Sequence, residues 1–379
     1  MRKLKVLQVN KLYYPFTGGV ERVVQQIAEG LQDKTNMKVL VCNEQKKSVS
    51  ERINGVKVFR SGSIRMLGNM PLSVKFISDF RKMAKTADII QFHMPFPIGD
   101  LATLLSGYKG KIVVWWHSDV VRQKKMMILY KPVMTMFLKR ADAIIVATQG
   151  HIDGSKYLKP YAHKCVIIPY GVNPVIEKKA DEWIEQSKNL KEEKKDTQVT
   201  FLFVGRLVYY KGCRELLEAF CNVQNARLIM VGSGIMEKEL KELTVSLRIE
   251  DRVLFPGNVS DEKLERYFAE CDVFVLPSIA RSEAFGLVQI EAMSYGKPVI
   301  NTNLPSGVPY VSIHKETGLT VEPENPKELA EAMQWMVEHP KERIEMGKRA
   351  RMRVKEEFQV SGMLKKVFDL YKNLKDWKK

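Results

Sequence analysis

Two carboxylates, Glu283 and Glu291, are placed around a turn and the start of a helix in SEAFGLVQIEAMSYGKP, residues 282–298. The strand-like run CDVFVLPS precedes the segment and the strand-like PVINTN follows it, which predicts the order strand, turn, helix, turn, strand. Backbone N–H groups at a helix N-terminus bind anions, because they lack partners inside the helix and carry the positive end of its dipole. The N–H groups in question belong to Ala284, Phe285, Gly286 and Leu287.

This spacing suits a ligand with an anion in its middle and a polyol at each end. Gly286 allows a ligand to approach the backbone closely. Glu291 lies up to about 12 Å beyond Glu283, at about 1.5 Å per helical residue. A nucleotide diphosphate sugar has this form, with ribose on one side of the diphosphate and a hexose on the other. An amphipathic helix with two solvated glutamates gives the same pattern, so the segment alone favours a binding site only weakly.

Two cations, Arg206 and Lys211, follow the strand-like run TFLFVG. Ligands of open α/β sheets bind at the carboxyl ends of the strands. Cations at that place neutralise a diphosphate and stabilise the charge that builds up on it as a sugar leaves. Two solvated basic residues are the alternative, but the position of the pair relative to Gly205 and Gly212 favours a role in binding.

Two histidines end strand-like runs in the first half of the chain. His117 follows IVVWW, with Asp119 two residues later, and His93 ends ADIIQFH. A histidine at a strand end can form a hydrogen bond with a sugar hydroxyl. A packed polar residue is the alternative for His117, and we rank His93 second.

Strand-like and helix-like segments alternate in both halves, which indicates an α/β protein with mostly parallel, doubly wound sheets. A chain of 379 residues can bury two cores. The charged stretch 173–197 separates the halves and is expected to be a linker, with a possible helical piece. We therefore predict domains at 1–172 and 198–360, followed by a final helix within 361–379.

The formal net charge is +17, from 61 Lys and Arg against 44 Asp and Glu. Such a balance indicates an anionic partner: nucleic acid, an anionic membrane or a phosphorylated substrate. We favour membrane and phosphate, because no nucleic-acid-binding signature is visible. Residues 122–140 combine basic ends with apolar residues and form either a buried crossover helix or part of a lipid-facing surface. The other basic residues of that surface would be Lys75, Arg81, Lys82 and Lys85.

Several classes of protein are disfavoured. No run of 18 or more apolar residues predicts a membrane span, and the N-terminus resembles a first strand more than a signal peptide. The five cysteines have no metal-type spacing and are expected to be free thiols in a reducing compartment. No D-x-D motif is present, so a metal-bridged diphosphate is not expected.

The segment around Glu283 and Glu291 resembles the E-x7-E motif of retaining GT-B glycosyltransferases, and EAFGLVQIEAM-x-x-GKPVI is typical of glycosyltransferase family 4. Other pieces match in order along nearly the whole chain: TGGVERV, WWHSD, IPYGV, FVGRLVYYKG and VGSG. The resemblance implies two Rossmann-like, doubly wound parallel-sheet domains that face a cleft. It also implies a final helix that crosses back to the first domain.

The same resemblance implies roles for individual residues. Catalytic roles fall to His117, Arg206, Lys211 and Glu283. His93 and Asp119 are expected on the acceptor side. Donor contacts are expected at Gly18, Gly19, Gly205, Gly232, Asn258, Val259, Ala284, Phe285, Gly286, Leu287 and Glu291. The nucleotide base would dock through backbone groups near Asn258 and Val259. Because backbone groups are the same in every residue type, the sequence does not distinguish guanine from uracil.

The resulting prediction is a retaining glycosyltransferase that moves a hexose from a nucleotide sugar to a glycan or a lipid-linked saccharide. The run WWHSDVVRQK looks most like mannosyl- and rhamnosyltransferases of bacterial surface polysaccharides such as the O-antigen of lipopolysaccharide. GDP-mannose is therefore the first donor and UDP-hexoses come next. No metal and no nucleic acid are expected, and the protein is predicted to be cytoplasmic and peripheral on the inner face of the membrane. The alternatives are an epimerase or a sucrose- or glycogen-type synthase of the same fold, and a non-catalytic basic scaffold or nucleic-acid-binding protein.

Overall fold

The computed structural model describes residues 2–16, 18–67, 70–119, 124–189 and 198–376. The chain divides into two compact units. The first unit comprises Met1–Pro169 with Ser361–Lys379, and the second unit comprises Tyr170–Val360.

The described residues of the first unit form ten strands and most of six helices. Its strands are β1 (Leu4–Val9), β2 (Thr35–Cys42), β3 (Val49–Ile53), β4 (Val56–Ser61), β5 (Arg65–Leu67), β6 (Met70–Leu72), β7 (Ile89–Met94), β8 (Lys111–Trp116), β9 (Ala143–Val146) and β10 (Cys165–Ile167). Its helices are α1 (Gly19–Gly30), α2 (Val74–Ala84), α3 (Pro97–Ser106), α4 (Lys124–Arg140), α5 (Gln149–Gly154) and, at the end of the chain, α14 (Val360–Asp376).

The second unit contains the remaining elements. Its strands are β11 (Val199–Val204), β12 (Ala226–Val231), β13 (Val253–Gly257), β14 (Val273–Leu276), β15 (Val299–Thr302) and β16 (Gly318–Val321). Its helices are α6 (Pro174–Asn189), α7 (Cys213–Phe220), α8 (Glu237–Ser246), α9 (Asp261–Glu270), α10 (Leu287–Ser294), α11 (Val308–Val311), α12 (Pro326–Glu338) and α13 (Pro340–Glu357). Short 3₁₀ helices cover Lys159–Lys164 in the first unit and Tyr209–Lys211 in the second.

Each unit is built on a doubly wound sheet. The sheet of the second unit has the order β13-β12-β11-β14-β15-β16 and is parallel throughout. The sheet of the first unit has the order β10-β9-β8-β7-β1-β2-β4-β3, and only β3 runs antiparallel, against β4. In such sheets the strand order reverses at one point, where ligands bind beyond the carboxyl ends. That point lies between β1 and β7 in the first unit and between β11 and β14 in the second.

The central strands are buried along most of their length, as β7, β9 and β14 show. Parallel strands with helices on both faces need continuous apolar runs rather than an alternating pattern. The core of the first unit includes an aromatic cluster of edge and stacked contacts, formed by Phe76, Phe80, Phe92, Phe96 and Phe137.

The alternation of strands and helices predicted for both halves is confirmed. The prediction included β4, as the strand-like run VKVFRS, but omitted α3 and β3. Helix α3 begins at Pro97, the last residue of the run PFP. Two prolines within three residues are typical of a turn, so the run did not indicate a helix. The exposed edge strand β3 has the polar sequence VSERI, which lacks the apolar run of a buried strand.

The predicted linker, residues 173–197, includes α6, which belongs to the second unit; residues 190–197 lie outside the described part of the chain. Helix α14 covers the predicted final helix, and its residues from Ser361 belong to the first unit. Among the described residues, no helix is both long and apolar enough to span a membrane. All five cysteines are free thiols, three of them buried.

Candidate active site

A buried ion pair joins two loops at the carboxyl end of the second sheet. Lys211 follows β11 and Glu283 follows β14, and Lys211 Nζ lies 2.6 Å from Glu283 Oε2. Each side chain is only 11% exposed. The Ser278 hydroxyl, also buried, donates to the same oxygen at 3.3 Å. The pair therefore sits where the strand order reverses, which is the place that the sheet offers to a ligand.

The charge of Lys211 is secured by this contact. Burial alone would lower its pKa, but the charge and the hydrogen bond of Glu283 outweigh burial, so the pKa of Lys211 is raised. Lys211 is consequently a cation at neutral pH. Such a group can stabilise negative charge on a ligand without reorganising.

Two glycines give this site its shape: Gly212, the N-cap residue of α7, and Gly232, which directly follows β12. Gly212 has a φ of +68°, and a Cβ there would lie 1.8 Å from the Pro277 carbonyl oxygen. Gly232 has a φ of +126°, and a Cβ there would lie 2.0 Å from the Gly205 carbonyl oxygen. No other residue type fits at either position, because a side chain would overlap the backbone of the neighbouring loop. The glycines thus hold the ends of β11, β12 and β14 in close contact.

The N-terminus of α10 faces the same edge of the sheet. Gly286 is its N-cap residue, with a φ of +73°. The N–H groups of Ala284, Phe285 and Gly286 have no acceptor among the residues that the structure describes. Leu287 begins the helix. These N–H groups and the helix dipole together form an anion site.

Packing fixes the loop that carries these N–H groups. The Phe285 ring is buried and makes edge contacts with Tyr170 at 4.9 Å and Phe358 at 6.0 Å. Gln289 Nε2 donates to the Phe285 carbonyl oxygen at 2.9 Å, and Asn301 Nδ2 donates to Gln289 Oε1 at 2.9 Å. Neither Gln289 nor Asn301 was predicted from the sequence. Their only sequence signal is a polar residue within an otherwise apolar helix or strand.

Arg206, which was predicted to be catalytic, and several predicted donor contacts lie around this edge. Arg206 is exposed and donates to the Tyr210 hydroxyl at 2.8 Å. Glu291 is half-buried on the second turn of α10. Asn258 is exposed beyond β13, where its Nδ2 donates to the Ser233 hydroxyl at 2.8 Å, and Val259 follows it.

The first unit carries two of the predicted residues in direct contact. His93 is the penultimate residue of β7, and His117 directly follows β8. His93 Nδ1 lies 2.9 Å from His117 Nε2. Both are buried, and their rings stack with Trp115. Burial lowers the pKa of His93 to about 3. Burial, with the nearby His93, His151 and Lys11, lowers the pKa of His117 well below its usual range. Both histidines are therefore neutral at physiological pH.

Asp119 and the glycine turn lie elsewhere in the first unit. Asp119 Oδ1 accepts from Trp116 Nε1 at 3.1 Å and from the Ser155 hydroxyl at 2.7 Å. Gly18 is the N-cap residue of α1 and Gly19 is its first residue. A Cβ on Gly18 would lie 2.1 Å from Glu21 Oε2, so the carboxylate of Glu21 covers the turn. A carboxylate at this place stabilises the helix N-terminus.

Comparison with known proteins identifies the family. The model described as Glycosyltransferase Family 4 matches residues 17–175, and the model described as Glycosyl transferases group 1 matches residues 185–353. D-rhamnosyltransferase WbpZ of Pseudomonas aeruginosa is 34% identical over 94% of this chain and 92% of its own. The chain belongs to glycosyltransferase family 4. O-antigen chain mannosyltransferase C of Escherichia coli is 30% identical over 98% of this chain and 99% of its own.

Solved structures agree with the fold of this family 4 enzyme. The Anabaena protein HepE, crystallised in complex with UDP, has a TM-score of 0.75 at 19% identity and covers 98% of this chain and 100% of its own. Sucrose-phosphate synthase from Thermosynechococcus elongatus has a TM-score of 0.78 at 22% identity, with 98% and 99% covered. The GT-B fold that the resemblance implied is confirmed, and the enzyme is a glycosyltransferase.

The predicted residues of this glycosyltransferase fall into two sets, one in each unit. In the second unit, Lys211 and Glu283 are in contact, and Arg206 and the α10 N-terminus lie at the same sheet edge. In the first unit His93 and His117 are in contact, whereas Asp119 is bonded to Trp116 and Ser155.

A cavity of about 820 Å³ lies beside β16, α12 and α13 and is lined by Trp335, among others. It contains none of the predicted site residues and lies away from the β11 and β14 ends, so we do not assign the donor to it. Among the described residues, no group of three or more His, Cys, Asp or Glu is close enough to hold a metal ion.

Proposed function

We propose that this family 4 glycosyltransferase transfers a hexose from a nucleotide diphosphate sugar to a glycan or lipid-linked saccharide in the assembly of a bacterial surface polysaccharide. The observation that carries the proposal is the buried Lys211–Glu283 pair beside the α10 N-terminus, at the point where the strand order reverses. The names of two relatives, an O-antigen mannosyltransferase and a D-rhamnosyltransferase, support the acceptor class.

The donor diphosphate is assigned to the second unit. Lys211, Arg206 and the N–H groups at the start of α10 would neutralise its charge, which rises as the sugar leaves. Glu283, held by Lys211 and Ser278, would accept hydrogen bonds from hydroxyls of the transferred hexose. Glu291 would accept from the ribose.

We propose that the reaction retains the anomeric configuration. The bond between the anomeric carbon and the phosphate oxygen breaks, and the bond to the acceptor oxygen forms on the same face of the sugar. The acceptor proton passes to an oxygen of the leaving diphosphate. The protein orients the reactants and stabilises charge, with no protein carboxylate as base.

His117 is assigned to a hydroxyl of the transferred sugar. His93, by contrast, is buried with both ring nitrogens in contact with protein partners, Gln8 and His117. We therefore assign His93 to the support of His117, in place of the acceptor contact expected from the sequence. Gly18, Gly19, Gly205, Gly232, Asn258 and Val259 stay predicted donor contacts, and Asp119 stays a predicted acceptor-side residue.

GDP-mannose is the proposed donor. The two relatives are named for mannose and for D-rhamnose, which is a 6-deoxymannose, so both act on sugars with an axial 2-hydroxyl. UDP-hexoses are the alternative, since HepE has been crystallised with UDP-glucose. That likeness, at 18% identity, supports the fold and says little about the base.

The basic charge suggests how the enzyme reaches a lipid-linked acceptor. The first unit holds 34 Lys and Arg against 13 Asp and Glu, so its formal charge is 34 − 13 = +21, and the second unit has 27 − 31 = −4. On α4, Ile128 and Leu129 are 74% and 82% exposed, next to the exposed Lys131. We propose that this surface binds anionic lipid. Arg122, part of the predicted basic segment, lies outside the described residues.

Flotation with vesicles tests the membrane proposal. We expect binding to phosphatidylglycerol vesicles at low salt, little binding to phosphatidylcholine, and weaker binding for the double variant Ile128→Ser/Leu129→Ser. Equal binding by the double variant and the native protein would contradict a role for α4.

Product analysis tests the transfer. The purified enzyme is incubated with GDP-mannose, GDP-D-rhamnose or UDP-glucose and a lipid-linked saccharide acceptor, and the products are analysed by mass spectrometry and NMR. We expect one added hexose with retained configuration, and no product from Glu283→Gln. Epimerised donor without acceptor would favour the epimerase alternative, and a folded protein that neither binds nor uses any donor would favour the scaffold alternative.

A further inference from the structure

A cavity of about 660 Å³ in the first unit lies at the amino ends of β1, β2 and β4. Six cations line it, together with uncharged groups, and no carboxylate from the described part of the chain does so. The cations are Arg2, Lys3, Lys5, Lys38, Arg52 and Lys57. The proposed function gives no role to any of them.

Strand register places three of these cations in one row. Lys38 of β2 is the register partner of Lys57 of β4, and Lys57 is the partner of Arg52 of β3. Register partners point to the same face of a sheet, and neighbouring strands are about 4.8 Å apart, so the row spans about 10 Å. Lys5 lies on the same face, because its register partner Asn36 is two residues before Lys38.

Contacts within the protein leave the charge of this row in place. Of the six cations, only Arg2 forms an ion pair with a described residue, Asp88, at 3.2 Å. The Arg52 guanidinium donates to the Gly55 carbonyl oxygen at 3.0 Å, which satisfies one N–H group and does not neutralise the charge. Like charges directly opposite each other on neighbouring strands destabilise a sheet. A bound anion would remove that repulsion.

The lining of the cavity favours a small polyanion over a membrane. Membrane-binding surfaces combine basic residues with exposed apolar side chains, as α4 does with Ile128 and Leu129. None of the exposed large apolar side chains that the structure describes lines this cavity, and its own apolar residues, Met37 and Val56, are buried. A concave site with several cations suits a compact ligand with several negative charges. Linked phosphate groups have that form, and Lys and Arg bind them well.

We propose that this cavity is a second anion site of the enzyme and binds a soluble oligophosphate, a chain of two or more linked phosphate groups. The cavity shares no residue with the donor site in the second unit. It lies at the amino edge of the first sheet, whereas His93 and His117 lie at the carboxyl edge. The six residues of β1 separate the two edges by about 20 Å. The inference therefore does not depend on the proposed function.

The variant Lys38→Gln/Lys57→Gln removes two neighbouring charges of the row. The matched control is Lys159→Gln/Lys366→Gln, which removes the same charge from two exposed lysines of the first unit that do not line the cavity. The variant Lys38→Arg/Lys57→Arg keeps the charge of the row. Near-ultraviolet circular dichroism checks that each variant is folded.

Titration calorimetry with sodium tripolyphosphate at low salt measures binding. We expect a site in the native protein that is at least about tenfold weaker in Lys38→Gln/Lys57→Gln, because charge-assisted hydrogen bonds are lost. Its affinity should stay within about twofold of native in the matched control and in the arginine variant. Tripolyphosphate bound at the donor site would appear as a second site that all variants keep. No binding by the native protein, native affinity in the glutamine variant of the row, or equal weakening in the control would overturn the proposal.

Vesicle flotation distinguishes a free oligophosphate from a lipid headgroup. The two glutamine double variants are compared on phosphatidylglycerol vesicles at low salt. We expect them to bind equally, because the cavity has no exposed apolar side chain to insert into lipid. Weaker vesicle binding by Lys38→Gln/Lys57→Gln than by the control would overturn the assignment to a soluble ligand and make the row part of the membrane-binding surface.

Discussion

The two units bury polar groups at the same place in their sheets, but they do so with opposite chemistry. In the second unit, the loops after β11 and β14 bring together a cation and an anion, Lys211 and Glu283. In the first unit, β1, β7 and β8 bring together uncharged groups, namely the amides of Gln8 and Gln91 and the imidazoles of His93 and His117. Both sites lie where the strand order reverses.

This difference matches two different ligand groups. A buried cation keeps its charge only if an anion compensates its desolvation, and Glu283 does so for Lys211. A buried imidazole loses its proton because burial disfavours its charged form, as the lowered pKa values of His93 and His117 show. The proposed function accordingly places the diphosphate at the charged site and sugar hydroxyls at the neutral site.

The largest effect is expected when the charged site loses its anion. Glu283→Gln leaves Lys211 buried without compensation and should lower the free energy of unfolding by about 3–5 kcal/mol. Urea denaturation measures the change. The matched control is Glu265→Gln, because Glu265 also lies 2.6 Å from a lysine, Lys179, but that lysine is 42% exposed. The control should lose less than about 1 kcal/mol. Equal losses would show that burial does not distinguish the two pairs.

The backbone of the charged site should be nearly as sensitive. Gly212→Ala should lower the free energy of unfolding by about 1–2 kcal/mol for the left-handed backbone and by about 1–3 kcal/mol more for the overlap with Pro277. Gly257→Ala is the control, since Gly257 has a φ of +71° but open space around its Cβ position. Gly257→Ala should therefore lower the free energy of unfolding by only the about 1–2 kcal/mol that the left-handed backbone costs. If both variants unfold at the same urea concentration, close packing against Pro277 does not shape the site.

Acid should weaken the neutral site. Above pH about 6.5 a histidine is uncharged in both the folded and unfolded states, so it adds no pH dependence. Below that pH the histidine binds a proton in the unfolded chain, whereas His93 in the folded protein stays neutral down to its pKa of about 3. Stability should therefore fall by about 1.4 kcal/mol per pH unit for this group. His93→Asn should remove that part of the slope between pH 6 and pH 4. An unchanged slope would mean that His93 is not buried as a neutral group.

A smaller effect is expected from the exposed cation of the charged site. Arg206→Gln should weaken donor binding roughly tenfold, as for one charge-assisted hydrogen bond, and leave stability nearly unchanged. Arg214→Gln is the control, because Arg214 is exposed on α7 and paired with Glu239. Titration calorimetry measures both affinities. Equal affinities for the two variants would remove Arg206 from the donor site.

The charged site was predictable from the sequence because its residues lie in short motifs. Arg206 and Lys211 are five residues apart, and Glu283 and Glu291 eight apart, each set next to a recognisable strand. The neutral site was not predictable from the sequence. Gln8, one of its residues, is hydrogen-bonded to Tyr371, and the two are separated by 363 positions in the chain. Its one signal was a glutamine inside each of the apolar runs KVLQVN and IIQFH. The supporting Gln289–Asn301 contact also depends on packing that local sequence does not encode.

The central claim is that the charged site binds a nucleotide sugar, and titration calorimetry tests it most directly. GDP-mannose, UDP-glucose and UDP-galactose are titrated into the native enzyme, into Glu291→Gln, and into the exposed control Glu270→Gln. The account predicts that one donor binds at one site per chain, about tenfold more weakly to Glu291→Gln and unchanged to Glu270→Gln. A folded enzyme that binds none of the donors, or a Glu291→Gln variant with native affinity for the bound donor, would contradict it.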